Sequence, residues 1–260
     1  MTSRTLRLSD GSTVRVLEAG AGEPLLLIHG VGLRAEAWGP QMRLAAHVFA
    51  VDMPGHGDSS ALPIGARLPD YVAWAARVIE ALGVGPMSVA GHSMGALIAG
   101  GLAIDRPDLV KRVALLNGVH RRTPEARAAV LGRADEIAQG RGSIEAPLAR
   151  WFTPDESDTR AQVAGWLNAV SQQGYAMAYR AFAEGDMVYA DRIGEISCPT
   201  LVLTADGDAN STPAMTHAMA GMVQHGHAVV IEGHRHMVNL TAPRAVSIAL
   251  QDWLAEEVTK

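Results

Sequence analysis

The pentapeptide Gly91-His92-Ser93-Met94-Gly95 sets a serine between two glycines, and its flanks decide how that serine is read. An apolar run, 86–90, precedes it and a small-residue run, 96–103, follows, the pattern of a strand, a sharp turn and a helix. In a Gly-x-Ser-x-Gly turn the glycines let the backbone bend tightly and let strand and helix pack closely. The hydroxyl is left exposed at the helix N-terminus. A serine hydroxyl is a weak nucleophile at neutral pH. Acyl transfer therefore needs a base, an acid that orients the base, and donors for the developing oxyanion.

Ten histidines are available as bases. In a parallel sheet, useful side chains gather beyond the carboxyl ends of the strands, which favours His29, His120 and the pair His234/His236. His29 lies among glycines in Ile28-His29-Gly30-Val31-Gly32 and reads as a structural imidazole. Of His234 and His236, spaced so that they point differently, only one is expected to reach Ser93. As a metal site the pair lacks a third ligand at close spacing. Asp206 and Asp208 follow the penultimate strand, and the reading splits them: one caps the turn and the other orients the histidine. The oxyanion donors are expected to be the N–H of Met94, in the first helical turn after Ser93, and that of Val31. Val31 sits between Gly30 and Gly32, where small neighbours let the main chain approach a ligand.

The elements that must hold these groups appear as an alternation of short apolar runs and helical stretches. Residues 5–8 and 14–17 alternate in polarity around Asp10-Gly11-Ser12, which predicts an edge hairpin. The runs 25–28, 48–51, 87–90, 113–116, 200–204 and 228–231 do not alternate, as expected of strands buried on both faces of a parallel sheet. Helical stretches at 71–82, 94–105, 213–222 and 243–256 separate most of them. The expected class is α/β, a mostly parallel, doubly wound, eight-stranded sheet. Residues 121–196 break the rhythm, with helical stretches at 124–139, 143–151, 159–172 and 174–184 and no strand run, and predict a helical layer over one end of the sheet.

Composition bounds the partners. With 260 residues, 48% hydrophobic and 19% charged, the chain can bury a sizeable core. A formal net charge of −5 gives no basis for nucleic-acid binding. Cys198 is the only cysteine, which excludes an intrachain disulfide and reads as a buried structural thiol. No signal-peptide core and no run of eighteen apolar residues is seen. The expectation is a cytoplasmic protein with no membrane partner; the sequence specifies no oligomeric state.

Together, five stretches resemble the α/β-hydrolase superfamily: His29-Gly30-Val31-Gly32, Asp52-Met53-Pro54-Gly55-His56-Gly57-Asp58-Ser59, the Ser93 turn, Asp206-Gly207-Asp208 and Gly233-His234-Arg235-His236. They stand in that family's order of nucleophile, acid and histidine. The resemblance implies an α/β-hydrolase fold with a core domain from 1–120 and 197–260 and a helical lid insertion at 121–196. It puts the acid at the last position of a Gly-x-x-Asp turn, hence Asp208, although Ala205 stands where that glycine usually does. The histidine ends a Gly-x-x-His turn, hence His236. The family's other acid position, after the strand 113–116, carries Asn117 or Gly118, and neither is a carboxylate. His56 and Asp58 read as structural parts of a loop signature.

The implied activity is hydrolysis of a small-molecule carboxylic ester or lactone through an acyl-enzyme on Ser93, with His236 and Asp208 completing a triad and no metal or organic cofactor. Gly174-Tyr175 and Phe182-Ala183-Glu184-Gly185-Asp186 are similar to lid sequences of enol-lactone hydrolases. His120, Trp151 and Tyr175 are expected to line the pocket. Two other readings stand beside this one. C–C bond hydrolysis of vinylogous ketoacids would need a cationic clamp drawn from Arg121, Arg122, Arg150 or Arg180, which otherwise read as surface arginines. A hydrolase-like receptor with slow turnover would bind without multiple turnovers.

Overall fold

Short aliphatic runs too apolar for a solvent-facing strand form the middle of a single sheet. The computed structural model describes residues 1–258. Its strands are β1 (Thr2–Arg7), β2 (Thr13–Ala19), β3 (Pro24–Ile28), β4 (His47–Val51), β5 (Met87–His92), β6 (Val110–Leu116), β7 (Thr200–Ala205) and β8 (Gly226–Ile231). They pair in the order β1-β2-β4-β3-β5-β6-β7-β8. The β1–β2 hairpin and the β2–β4 pairing are antiparallel, and every later pairing is parallel. The helices are α1 (Leu68–Leu82), α2 (Met94–Asp105), α3 (Pro124–Ala138), α4 (Glu145–Trp151), α5 (Ser157–Ala169), α6 (Gln172–Gly185), α7 (Pro213–Met222), α8 (Val238–Thr241) and α9 (Pro243–Leu254).

Successive side chains of a strand point to opposite faces, and β3 shows how this builds two cores. Leu26 and Ile28 join the apolar cluster with α1, α2 and α7, whereas Leu25 and Leu27 join Trp38, Val246 and Trp253 on the other face. All four β3 side chains are fully buried, each contributing about 1.5–3 kcal/mol. The expected non-alternating runs thus arise because both faces are covered. β8 departs from that expectation: it is only partly buried because it ends the sheet. The sequence reading also missed a 3-10 helix, Ala35–Arg43, whose Trp38 is buried; Pro40 inside it withholds an N–H from regular helical bonding.

Residues between β6 and β7 form α3 to α6. Thr123 caps α3 by accepting the Ala126 N–H at 3.2 Å, with Pro124 at the first helical position. Ala134, Leu148, Val163 and Ala178, one from each of the four helices, belong to the same apolar cluster as β3 and α2. The insertion is therefore continuous with the sheet's own core. Among the described residues no helix is long and apolar enough to cross a membrane.

The turn between β5 and α2 is where the chain is tightest. Ser93 has φ 57° and ψ −115°, and its N–H still extends the strand ladder to the Leu116 carbonyl at 2.8 Å. A Cβ on Gly91 would lie 1.9 Å from the Gly95 oxygen, and one on Gly95 would lie 2.1 Å from the Ile28 oxygen. No rotamer relieves a clash with backbone. Gly95→Ala is expected to destabilise the fold by about 3 kcal/mol, since β3 must move to admit the methyl group. Urea unfolding checks this; an unchanged midpoint would contradict the close approach.

Candidate active site

The turn that follows β7 delivers a carboxylate into the interior. Asp208 closes it, its N–H donating to the Ala205 carbonyl at 3.2 Å, and its side chain is fully buried. Oδ2 accepts from His236 Nδ1 at 2.8 Å and from Asn117 Nδ2 at 2.8 Å. Oδ1 accepts the N–H groups of Asn210, at 2.8 Å, and Ser211, at 3.2 Å. Burial alone would raise this carboxyl's pKa, but His236 and the surrounding donors outweigh it and hold the group below its ordinary value. An ionised Asp208 only accepts, so the His236 proton sits on Nδ1 and Nε2 is left free as a base. Asp206 does something else: its Oδ1 accepts the Gly233 N–H at 2.9 Å on the surface, capping the turn. Asn117, which the sequence reading dismissed as a non-carboxylate, is a donor to Asp208 instead.

Two buried imidazoles brace the loop that carries Val31. His56 Nδ1 donates to the Pro54 carbonyl at 3.0 Å, which leaves Nε2 to accept the Gly32 N–H at 2.9 Å. His29 Nδ1 donates to the Gly30 carbonyl at 2.7 Å, and its Nε2 accepts the Met53 N–H at 2.9 Å. Each ring is held as one neutral tautomer. A third buried imidazole, His92, donates from Nε2 to the His236 carbonyl at 2.8 Å and so ties the serine turn to the histidine loop. With Gly32 bound to His56, the loop carries Val31 to the same cavity that Ser93 lines. Met94 opens α2, where first-turn N–H groups have no intrahelical acceptor.

These groups meet at a cavity of about 200 Å³ lined by Gly30, Val31, Ser93 and His236 from the sheet side. Trp151 and Tyr175 line it from the insertion, and the Trp151 ring lies 5.5 Å from the His236 ring. His120 does not, which corrects the sequence expectation. It lines a separate space of about 20 Å³, room for about one water, with Leu97, Gly101 and Tyr189. Beyond β6 the chain turns through a left-handed conformation at Asn117, φ 50°, before it reaches His120. Tyr179, which the sequence reading does not name, lines the cavity as well, and so do Arg122 and Arg150, two of the four arginines weighed as a clamp. Of the four arginines weighed, Arg121 pairs on the surface with Asp191 and Arg180 with Asp135. Among the described residues no group of three or more potential ligands is placed to hold a metal ion.

Residues 25–249 match the Alpha/beta hydrolase family. The chain belongs to that family. Over 259 residues, 98% of each chain, this alpha/beta hydrolase is 54% identical to the (E)-2-((N-methylformamido)methylene)succinate hydrolase of Acinetobacter baylyi. Its fold superposes on an esterase from Thermogutta terrifontis with a TM-score of 0.89, at 24% identity over the whole of both chains. An enol-lactonase from Burkholderia xenovorans gives a TM-score of 0.86 at 24% identity, covering 97% of this chain and 100% of that one. At 24% identity the two structures show a shared fold and say nothing more about this hydrolase.

The three buried imidazoles give the hydrolase an acid sensitivity that can be measured. Burial pushes the pKa of His29 down to about 4, and burial together with a neighbouring imidazole pushes those of His56 and His92 down to about 3. An unfolded histidine titrates near 6.5, so between that pH and about 4 the unfolded chain binds more protons than the folded one. Stability is complete above pH 6.5 and falls as the pH drops, by about 1.4 kcal/mol per pH unit for each such histidine. Urea midpoints of the wild type and His56→Asn at pH 4.5, 5.5 and 6.5 are expected to differ in slope by about one proton. Parallel slopes would refute the buried neutral assignment.

Proposed function

We propose that Ser93, His236 and Asp208 act as a catalytic triad that hydrolyses the acyl bond of a small N-acylated enamine carrying carboxylates, the class to which (E)-2-((N-methylformamido)methylene)succinate belongs. The observation that carries this reading is the buried Asp208–His236 hydrogen bond at 2.8 Å, with His236 lining the same cavity as Ser93. The 54% identical relative supplies the substrate class.

The chemistry of that substrate fits an esterase-type site. Its nitrogen bonds both to a formyl carbonyl and to an alkene carbon conjugated with a carboxylate, so the lone pair is divided between them. The formyl carbon is correspondingly more electrophilic than in an ordinary amide. His236 Nε2 takes the Ser93 proton as Oγ attacks that carbon, and the N–H groups of Val31 and Met94 hold the oxyanion. Asp208 stays ionised and steadies the imidazolium. The C–N bond then breaks, His236 protonates the leaving enamine nitrogen, and the formyl group stays on Ser93. Water, deprotonated by His236, attacks the formyl ester, and formate leaves as Ser93 recovers its proton. The expected ester or lactone hydrolysis uses the same steps with oxygen as the leaving atom. Residues 121–196 serve in this reading as the lid that shapes the substrate side of the cavity.

Formate release on incubation with (E)-2-((N-methylformamido)methylene)succinate, read by a coupled formate dehydrogenase assay, tests the proposal. One formate per substrate consumed is expected, with kcat falling at least about a thousandfold in Ser93→Ala while the circular dichroism spectrum is retained. Substrate loss without formate would show that a different bond is cut. Turnover retained in Ser93→Ala would remove the serine from the mechanism.

A further inference from the structure

The cavity beside Ser93 is electrically one-sided. Arg122 and Arg150 line it, and among the described residues no aspartate or glutamate does. Arg150, at the end of α4, is exposed, whereas the side chain of Arg122 is only 4% exposed. Burying a guanidinium carries a desolvation cost that is offset only where its N–H groups find acceptors. Those of Arg122 find too few. Nη1 lies 3.2 Å from Asp186 Oδ1 and 3.4 Å from the Phe182 carbonyl, while Nη2 is buried with no partner.

A purely structural role accounts poorly for this arrangement. Asp186 is fully buried and already accepts the Arg122 main-chain N–H at 3.0 Å and Arg127 Nη1 at 2.9 Å. Two guanidinium groups thus share one carboxylate, which leaves a positive charge over. The Arg122 fork is also held in place, its carbon 4.4 Å above the Phe182 ring centre. Such a cation, held in place before any ligand arrives, with one buried terminal nitrogen unpartnered beside a cavity of apolar and aromatic walls, is an anion-binding group that loses little freedom on binding.

We propose that Arg122 binds a carboxylate of the substrate and makes this hydrolase select anionic acyl compounds over neutral ones of the same size, with Arg150 receiving a second carboxylate at the mouth. The inference rests on the reading of Ser93 as the nucleophile of an acyl hydrolase. It adds which residue chooses the substrate. Arg121, one residue away, takes no part, because its side chain is directed to Asp191 on the surface.

Two measurements separate the anion site from the chemistry. The first is calorimetric titration of succinate into the Ser93→Ala protein, which reads binding without turnover. Succinate is expected to bind and its neutral analogue succinamide is not. Adding Arg122→Gln is expected to weaken succinate at least tenfold, the lower end for losing a charge-assisted hydrogen bond. The second is the ratio of kcat/KM for 4-nitrophenyl hydrogen succinate to that for 4-nitrophenyl butyrate, expected to fall ten- to a hundredfold in Arg122→Gln. Arg122→Lys keeps the charge facing Asp186 but loses the planar fork. It is expected to lower the ratio at least fivefold, and it decides the matter if the glutamine variant does not fold. Equal affinity for succinate with and without Arg122, or a ratio unchanged in the folded variants, would overturn the proposal. Absence of turnover on both esters in the wild type would instead count against the acyl-hydrolase reading, and succinate binding would still judge Arg122.

Discussion

The contact between Gly95 and the Ile28 carbonyl, where α2 crosses the end of β3 with no room for a methyl group, governs the geometry of everything around Ser93. It forces the chain to reverse within one residue, and Ser93 takes up the reversal with a positive φ. The same closeness brings the Gly30–Val31 loop against the turn, a Cβ on Gly30 falling 3.1 Å from the Ser93 Cβ. Ser93 and the Val31 loop are thereby placed by backbone packing. Strain at one serine is sustained because β5 and β6 stay hydrogen-bonded through Ser93 itself.

The acid side of the site is built on the opposite logic, from polar groups that satisfy one another. Asn117 at the end of β6 donates to Thr204 and Asp208 at the end of β7 and its turn, and Ser211 returns a hydroxyl to the Asn117 carbonyl. Thr204 in turn donates to the Ser211 carbonyl at 2.6 Å. A buried carboxylate is stable only when its lone pairs are filled, and here two main-chain donors, one amide and one imidazole fill them. The network makes the position of His236 a consequence of where two parallel strands end. His92 adds a second constraint by holding the His236 carbonyl from the serine turn.

What could be read in the sequence divides along physical lines. Strands buried on both faces announce themselves by composition, so β3 to β7 were expected where they lie; the Ser93 turn has glycines that nothing else can replace. The choice between Asp206 and Asp208 was settled by the family's turn pattern and not by the residues, since both are polar groups in one turn. Only the surroundings show Asp206 capping Gly233 outside and Asp208 buried among donors. His120 is misplaced by the sequence reading, and Arg122 is left there among four alternatives. In both cases the reason lies beyond Leu116, where the chain takes non-glycine residues through positive φ, Asn117 before His120 and Arg121 before Arg122. Side-chain direction cannot be carried past such turns by counting. Arg121 and Arg122 look alike in sequence, yet one faces solvent and its neighbour the cavity. Asn117 was set aside because it cannot be an acid, whereas its use lies in being a donor to one.

The helical insertion and the histidine loop are not independent parts. Arg235 donates to the carbonyls of Ala149 and Phe152 at the end of α4, at 2.9 and 2.7 Å, and His234 Nδ1 lies 3.0 Å from Glu156. Both residues stand immediately before His236, so the loop that presents the base is fastened to the helix that carries Arg150 and Trp151. Two of these contacts reach the end of α4 and the third reaches Glu156 in the turn just after it. In the proposed reaction, a carboxylate drawn to Arg150 would therefore bind to the helix that holds the His236 loop. For a substrate whose leaving nitrogen shares its lone pair with a carboxylate-bearing alkene, pairing that carboxylate with a guanidinium also increases its pull on the lone pair. In the proposed reaction, the group that recognises the molecule would then weaken the bond that Ser93 attacks.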